Sequence, residues 1–284
     1  MRFLSRAVLM LAARLLLTEA IASTACELPI HFREGLIWLE VNVPQSQEAL
    51  HFLVDSGASA SVVNLSTAKR LGLPLGPKVK VTAVATKLTG YWPTKLSAKA
   101  DQLELPDQFL ALDLSRLSGA CNRSVDGLLG ADFFRERVIQ IDYAAQKIRV
   151  LMASPSAPGA NVVPLRIRSC SFCVGISVNG STSQWVRVDT GCASALQWVT
   201  SNGSAERSST KVAVGFAELS IPQAITSVRI GNDCLDAVPT GFHRKPIFPG
   251  ESGLLGNGLL AQFSLVTIDG KSGHLILGRP ADAK

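Results

Sequence analysis

The sequence predicts an all-β protein of two homologous lobes, related by a pseudo-twofold axis and separated by a cleft. Three observations lead there. The 284-residue chain carries one set of landmarks twice, in the same order and at nearly constant offset. Its apolar residues fall in short alternating or continuous runs broken by Gly, Pro, Asn and Ser, the pattern of strands and turns. A stretch rich in Pro, Gly and small polar residues, 152–162, separates the two copies as a linker does.

The repeat is read from four landmarks. Asp55-Ser56-Gly57 recurs as Asp189-Thr190-Gly191, 134 positions later. Gly127-Leu128-Leu129-Gly130 recurs as Gly253-Leu254-Leu255-Gly256, 126 later. Ile141-Asp142 recurs as Ile268-Asp269, 127 later, and Ile37–Val43 is echoed by Cys173–Asn179. The lobes are therefore placed at residues 27–151 and 163–279.

In chain order, the first 25 residues read as a secretory leader. Arg2 and Arg6 precede a short apolar core, and Ser23-Thr24-Ala25 resembles a small-residue cleavage site. Export is the expectation, and cleavage after Ala25 would expose Cys26, the position a lipid anchor would use. No large activation peptide is expected between the leader and Ile37. Ser66–Leu73 reads as a short helix capped by Ser66 and ended by Gly72, and Ala131–Arg137 as another. Asn179-Gly180 and Asp269-Gly270 read as hairpin turns. Asp142 and Asp269 read as turn residues. The six cysteines, at 26, 121, 170, 173, 192 and 234, suggest disulfides in an exported protein, with Cys170 and Cys173 as a structural pair.

Composition sets limits on function. With 47% apolar residues the chain can fill two cores. The formal charge of +6 is spread along the chain, without a basic run interleaved with aromatics, so nucleic acid is not an expected partner. There is no HExxH, the four histidines are scattered, and no GxSxG elbow occurs. Gly256–Ala261 fits GxGxxA, but its lobe-one twin lacks the second Gly and neither copy opens a βαβ unit. Neither a metal nor a cofactor is expected.

The chemistry then falls to two carboxylates. Each sits where an apolar strand runs into a glycine turn, which admits a backbone path that a side chain would block. If the copies pack face to face, Asp55 and Asp189 meet. Two carboxylates in contact share one proton, because both cannot ionise cheaply. The ionised one can take a proton from water while the protonated one polarises a carbonyl.

"VDSGAS" (Val54–Ser59) and "VDTGCAS" (Val188–Ser194), each followed by an apolar-apolar-Gly segment, resemble the two halves of an aspartic protease. The shared proton is the recognised property of that family's dyad. The short lobes are most similar to two retropepsin-type units fused in one chain, as in bacterial retropepsin-like proteins. The resemblance implies six-to-seven-stranded acid-protease lobes and catalytic roles for Asp55 and Asp189. It implies that Ser56 and Thr190, with Gly57 and Gly191, support the active-site loops through a cross-lobe grip. It further implies a flap hairpin, placed at Val79–Leu96 with Tyr91 or Trp92 as its aromatic, and a counterpart at Val212–Ile225. The substrate is expected to be a peptide or protein, and the chain a monomer, since both half-sites lie in it.

Two departures stand out. Where pepsin-like enzymes carry Ser or Thr after the glycine, this chain has Ala58 and Cys192. Losing a donor to the charged form leaves the dyad less acidic, so a weakly acidic optimum is expected. Three function classes follow: an aspartic endopeptidase, a catalytically silent peptide-binding protein that keeps the cleft, and a thiol or zinc protein built on Cys170 and Cys173. The two intact aspartates favour the first.

Overall fold

The computed structural model describes residues 23–83, 86–156, 159–200, 209–214 and 217–278. The leader-like residues 1–22 lie outside it. The chain is built almost wholly of strands, with four one- or two-turn helices among the described residues. No described helix is long and apolar enough to cross a membrane.

Strands outnumber the six to seven expected per lobe, because turns and bulges divide them and because the lobes share a sheet. Lobe one holds an eight-stranded sheet, and thirteen strands from both lobes form a second one. The lobes join between the third and fourth strands from one edge of that larger sheet. Val138–Asp142 runs antiparallel to Val266–Asp269, with Gln140 opposite Thr267. These two residues are repeat equivalents, 127 positions apart, so the pseudo-twofold axis passes through their pair. Gln140 Nε2 donates to Thr267 Oγ1 at 3.3 Å across it. The Thr24–Pro29 strand forms one edge of this sheet, against Lys147–Leu151. Thr24 thus pairs with Leu151 near the end of the leader-like segment, Ala25 falls at a register shift, and Cys26 pairs with Val150 and packs partly buried on the core.

Each Gly-Leu-Leu-Gly segment is a buried strand threaded between the two halves of an active-site loop. Gly127–Leu129 lies parallel to Leu50–Val54 and antiparallel to Val62–Asn64. Gly253–Gly256 repeats this between Gln184–Asp189 and Leu196–Val199. Being covered on both faces, these strands read as unbroken apolar runs rather than alternating ones. Phe52, Phe109, Phe133 and Phe134 fill the core of lobe one beneath them.

Several local expectations are refined. The helix Leu65–Arg70 is capped by Asn64, whose Oδ1 accepts from Ser66 N, so Ser66 lies inside the first turn. Asn64 is buried and its amide donates to Val125 O. Asn179 and Gly180 both take left-handed backbone (φ 51° and 72°), as a two-residue hairpin turn of the mirror-image type requires. The Asp269-Gly270 turn is longer: Asp269 pairs with His274, and the left-handed residue is Gly273. Asp269 and Asp142 cap their turns by accepting backbone N–H groups. The expected disulfides are not formed, and all six cysteines are free. Cys170 lies exposed in a tight turn, whereas Cys173 is buried on the strand that follows.

Candidate active site

Each aspartate sits at the mouth of its lobe because the strand before it is pinned on one side by the Gly-Leu-Leu-Gly strand. Asp55 N donates to Leu129 O at 2.8 Å. The chain then turns within two residues. Gly57 N and Ala58 N both donate to Asp55 Oδ1 at 3.0 Å, and Gly191 N donates to Asp189 Oδ1 at 3.0 Å. Each carboxylate is thereby held by its own loop.

The loops are locked to one another by the residues after the aspartates. Ser56 N donates to Thr190 Oγ1 (2.9 Å) and Thr190 N donates to Ser56 Oγ (3.1 Å). Each hydroxyl then donates onward to the opposite lobe, Ser56 Oγ to Val188 O and Thr190 Oγ1 to Val54 O, both at 2.8 Å. All four bonds are fully buried, where hydrogen bonds are strong and a missing partner is costly. Gly57 and Gly191 are needed for a steric reason. A Cβ on Gly57 would overlap the Asp189 carboxyl group, and one on Gly191 would overlap that of Asp55. The sequence places all six residues, and the fold brings them together.

The two carboxyls lie side by side at the floor of the cleft, each against the glycine of the opposite loop. Burial pushes Asp55 above the ordinary aspartate range, against the pull of its loop N–H groups and of Asp189. Burial and then the neighbouring Asp55 charge push Asp189 well above that range. Such a pair holds one proton over a span of pH, with an acid and a base side by side. Neither Ala58 nor Cys192 places a side-chain donor on the dyad. The Cys192 thiol is buried, and burial, then the Asp189 charge, raise it to about 12. A thiol so protonated is a poor nucleophile.

A cavity of about 190 Å³ opens beside the dyad, walled by Val62, Val81, Leu110, Leu112, Leu128 and Phe248. Val81, Thr82 and Ala83 belong to the hairpin of Lys78–Ala83 with Thr86–Lys95, so a hairpin arm lines the cavity within the segment expected to hold the flap. Its tip, residues 84–85, is outside the described residues. Tyr91 and Trp92 are not at that tip. Tyr91 is paired with Lys78 and packs on the core, and Trp92 N donates to Pro77 O at 3.0 Å. The five steps from Thr86 to Tyr91 span about 17 Å of strand, which puts both aromatics at the hairpin's base. The lobe-two counterpart is the Ser209–Val214 and Ala217–Ile230 hairpin.

Three features escaped the sequence reading. The first is Arg187, two residues before Asp189. Its guanidinium is buried, forks onto Glu251 (2.7 and 2.6 Å), donates from Nη1 to Gly57 O at 2.7 Å and lies 3.6 Å from the centre of the Phe248 ring. The repeat places Leu53 and Val125 at the equivalent positions of lobe one, so a charge in an otherwise apolar strand was the available signal. The second is Asn257, wholly buried, which donates to Thr190 O (2.6 Å) and Gly35 O (2.8 Å) and accepts from Tyr143 Oη (2.8 Å). It ties the Asp189 loop to lobe one. Its lobe-one equivalent is Ala131, and there Asp132 does the bracing instead, accepting from Ser61 N and Oγ. The third is a crossed docking of loops. Gly35 sits against Ala193, and Ser59 Oγ donates to Ser169 O at 3.0 Å. Each active-site loop thus rests on a hairpin turn of the opposite lobe.

Asp126, beside the first Gly-Leu-Leu-Gly, is structural. It accepts from His51 N, Thr67 Oγ1 and Arg70 Nη2, away from the dyad. Among the described residues no group of three or more His, Cys, Asp or Glu is placed to hold a metal.

Comparison with known proteins agrees with this geometry. Residues 39–133 match the family model described as aspartyl protease. No curated protein matches the chain. Among solved structures, the aspartic proteinase from Irpex lacteus superposes with a TM-score of 0.59 at 14% identity, covering 90% of this chain and 97% of that one. The lobe that carries Asp55 thus bears the aspartyl protease family pattern, and the chain as a whole has the pepsin/retropepsin-like aspartic protease fold.

Proposed function

We propose that the protein is an aspartic endopeptidase, hydrolysing peptide bonds with a water activated between Asp55 and Asp189. The observation that carries this is the meeting of the two carboxyls in one cleft, each fixed by its own loop and both loops locked by Ser56 and Thr190. In the half-protonated pair, the ionised carboxylate takes a proton from the water as it attacks the scissile carbonyl. The protonated partner donates to the carbonyl oxygen; as the C–N bond then breaks, the proton acquired from water passes to the leaving amine and a hydroxyl of the tetrahedral carbon returns its proton to the partner, restoring the half-protonated pair. Substrate would lie in the cleft under the Val81–Ala83 arm, with an apolar side chain in the adjacent cavity. Burial that raises both aspartates supports a weakly acidic optimum over a strongly acidic one. Both half-sites lie in one chain, which supports a monomer, and the leader-like first 25 residues support export.

The test is cleavage of a mixed peptide library from pH 3 to pH 8, with Asp55→Asn and Asp189→Asn as controls. The expected result is activity that peaks above the pepsin range and falls by about 10²–10⁴-fold in either variant. Activity that survives both substitutions would remove the dyad from the mechanism. Peptide binding without cleavage at any pH would favour the silent binding protein.

A further inference from the structure

The pseudo-symmetric comparison of the two lobes isolates one asymmetry beside the dyad. In lobe one the strand leading to Asp55 carries Leu53 and the Gly-Leu-Leu-Gly strand is preceded by Val125, both buried and apolar. In lobe two the equivalent places hold Arg187 and Glu251, with side chains 3% and 1% exposed. A buried ion pair gives no stability that an apolar pair of similar size would not, because both charges lose their hydration. The pair therefore asks for another reason, and the geometry supplies one. Three of the five guanidinium N–H groups are committed, two to Glu251 and one to Gly57 O. Gly57 is the turn residue between Asp55 and Ala58, and its carbonyl also accepts from Ser171 Oγ at 3.3 Å. Arg187 thus reaches from lobe two into the Asp55 loop. Phe248 covers one face of the guanidinium and lines the cleft with it. Among the described residues lining the cavity, Arg187 is the only cation.

We propose that Arg187, clamped by Glu251, is a positioning residue of the active site, fixing the Asp55 loop through the Gly57 carbonyl and presenting the positive end of a buried ion pair to the two aspartates. The proposal rests on the proteolytic reading of the dyad. It compensates for Ala58 and Cys192, which place no hydroxyl on the carboxylates. Arg187 lowers the proton affinity of both aspartates, against their burial. The ionisable groups that face the dyad are Asp55 and Asp189 on one another, Arg187 from the Gln184–Asp189 strand, and the protonated Cys192 thiol from the following loop. Around the Arg187 guanidinium lie Glu251, the protonated Cys173 thiol and Arg168, whose Nη1 donates to Gly250 O.

Arg187→Leu with Glu251→Val installs the lobe-one arrangement and removes the cation, so the dyad holds its protons to higher pH. Glu251→Gln leaves Arg187 uncompensated, so the dyad releases them at lower pH. Arg187→Lys keeps the charge. The experiment measures kcat/KM against pH on a peptide substrate for wild type and the three variants. In parallel it follows the aspartate carboxyl carbons by NMR titration, with Asp55→Asn and Asp189→Asn assigning the signals. The double variant is expected to move the acid limb up by about one pH unit, a tenfold loss on that limb. Glu251→Gln should move it down, and Arg187→Lys should leave it in place. If the double variant does not fold, the other two carry the test. Profiles and titrations that coincide with wild type in folded Glu251→Gln protein overturn the assignment. Carboxyl titrations that shift with these signs in a wild-type background without cleavage support Arg187 and overturn the proteolytic reading instead.

Discussion

Thr190→Val is the cleanest probe of what holds the two halves of the site together. Valine keeps the shape of the side chain and removes only the hydroxyl, so packing at this fully buried position is conserved. Two bonds disappear: the one Oγ1 accepts from Ser56 N at 2.9 Å and the one it donates to Val54 O at 2.8 Å. A buried hydrogen bond is worth about 1 kcal/mol net, but a donor left buried without a partner costs about 1–3 kcal/mol. Ser56 N is buried and its bond is to Thr190 Oγ1, so the penalty applies to it. The expected loss is about 2–4 kcal/mol. Urea unfolding, followed by tryptophan fluorescence, reads it as a lower midpoint at unchanged slope. Ser56→Ala removes the mirror pair, to Val188 O and from Thr190 N, and should cost the same to within the scatter of such values. A Thr190→Val protein within about 0.5 kcal/mol of wild type would refute the reasoning, because it would mean that the loops re-pair or admit water.

The dyad also makes stability depend on pH. Asp189 is raised in the folded state, so the native protein binds more protons than the unfolded chain, and stability falls as pH rises from the ordinary aspartate range through the raised one. Asp189→Asn should flatten that fall and leave the variant more stable than wild type at pH 7; thermal melts from pH 4 to pH 8 that run parallel would contradict this. Cys170 takes left-handed backbone (φ 62°) at the second position of a two-residue hairpin turn between Arg168 and Ser171, the position that Gly35 (φ 74°) holds between Arg33 and Leu36 in lobe one. Cys170→Gly should therefore stabilise by about 0.5–1 kcal/mol, and a lower urea midpoint would show that the exposed thiol makes a contact that outweighs the strain.

The parts of the site that were legible in the sequence are those where local chemistry and position coincide. A carboxylate, a hydroxyl and a glycine in a turn after an apolar strand have few other uses when they occur twice in register. The Gly-Leu-Leu-Gly strands were legible because full burial leaves an unbroken apolar run. What was not legible depends on contacts across the repeat. Arg187 finds Glu251 sixty-four residues later and Gly57 in the other lobe. Asn257 finds Gly35 at a separation of 222 residues. Neither partner is implied by spacing. Tyr91 and Trp92 misled because aromatic identity says nothing about distance from a hairpin tip, which the strand rise decides. The cysteines misled because an even count constrains pairing only if the chain brings the sulfurs together, and the Cys170 turn does not bring its sulfur to Cys173.

The axis that runs through Gln140 and Thr267 has a consequence for how this molecule could have diverged. In an assembly of two identical chains, every substitution near the axis arrives twice. An arginine at the Leu53 position would arrive as two cations flanking one pair of acids, and its glutamate as two more buried charges. Joining the halves in one polypeptide removes that constraint. One half can then keep an apolar wall while the other acquires an ionic one, and the site can become lopsided in charge while its frame stays twofold.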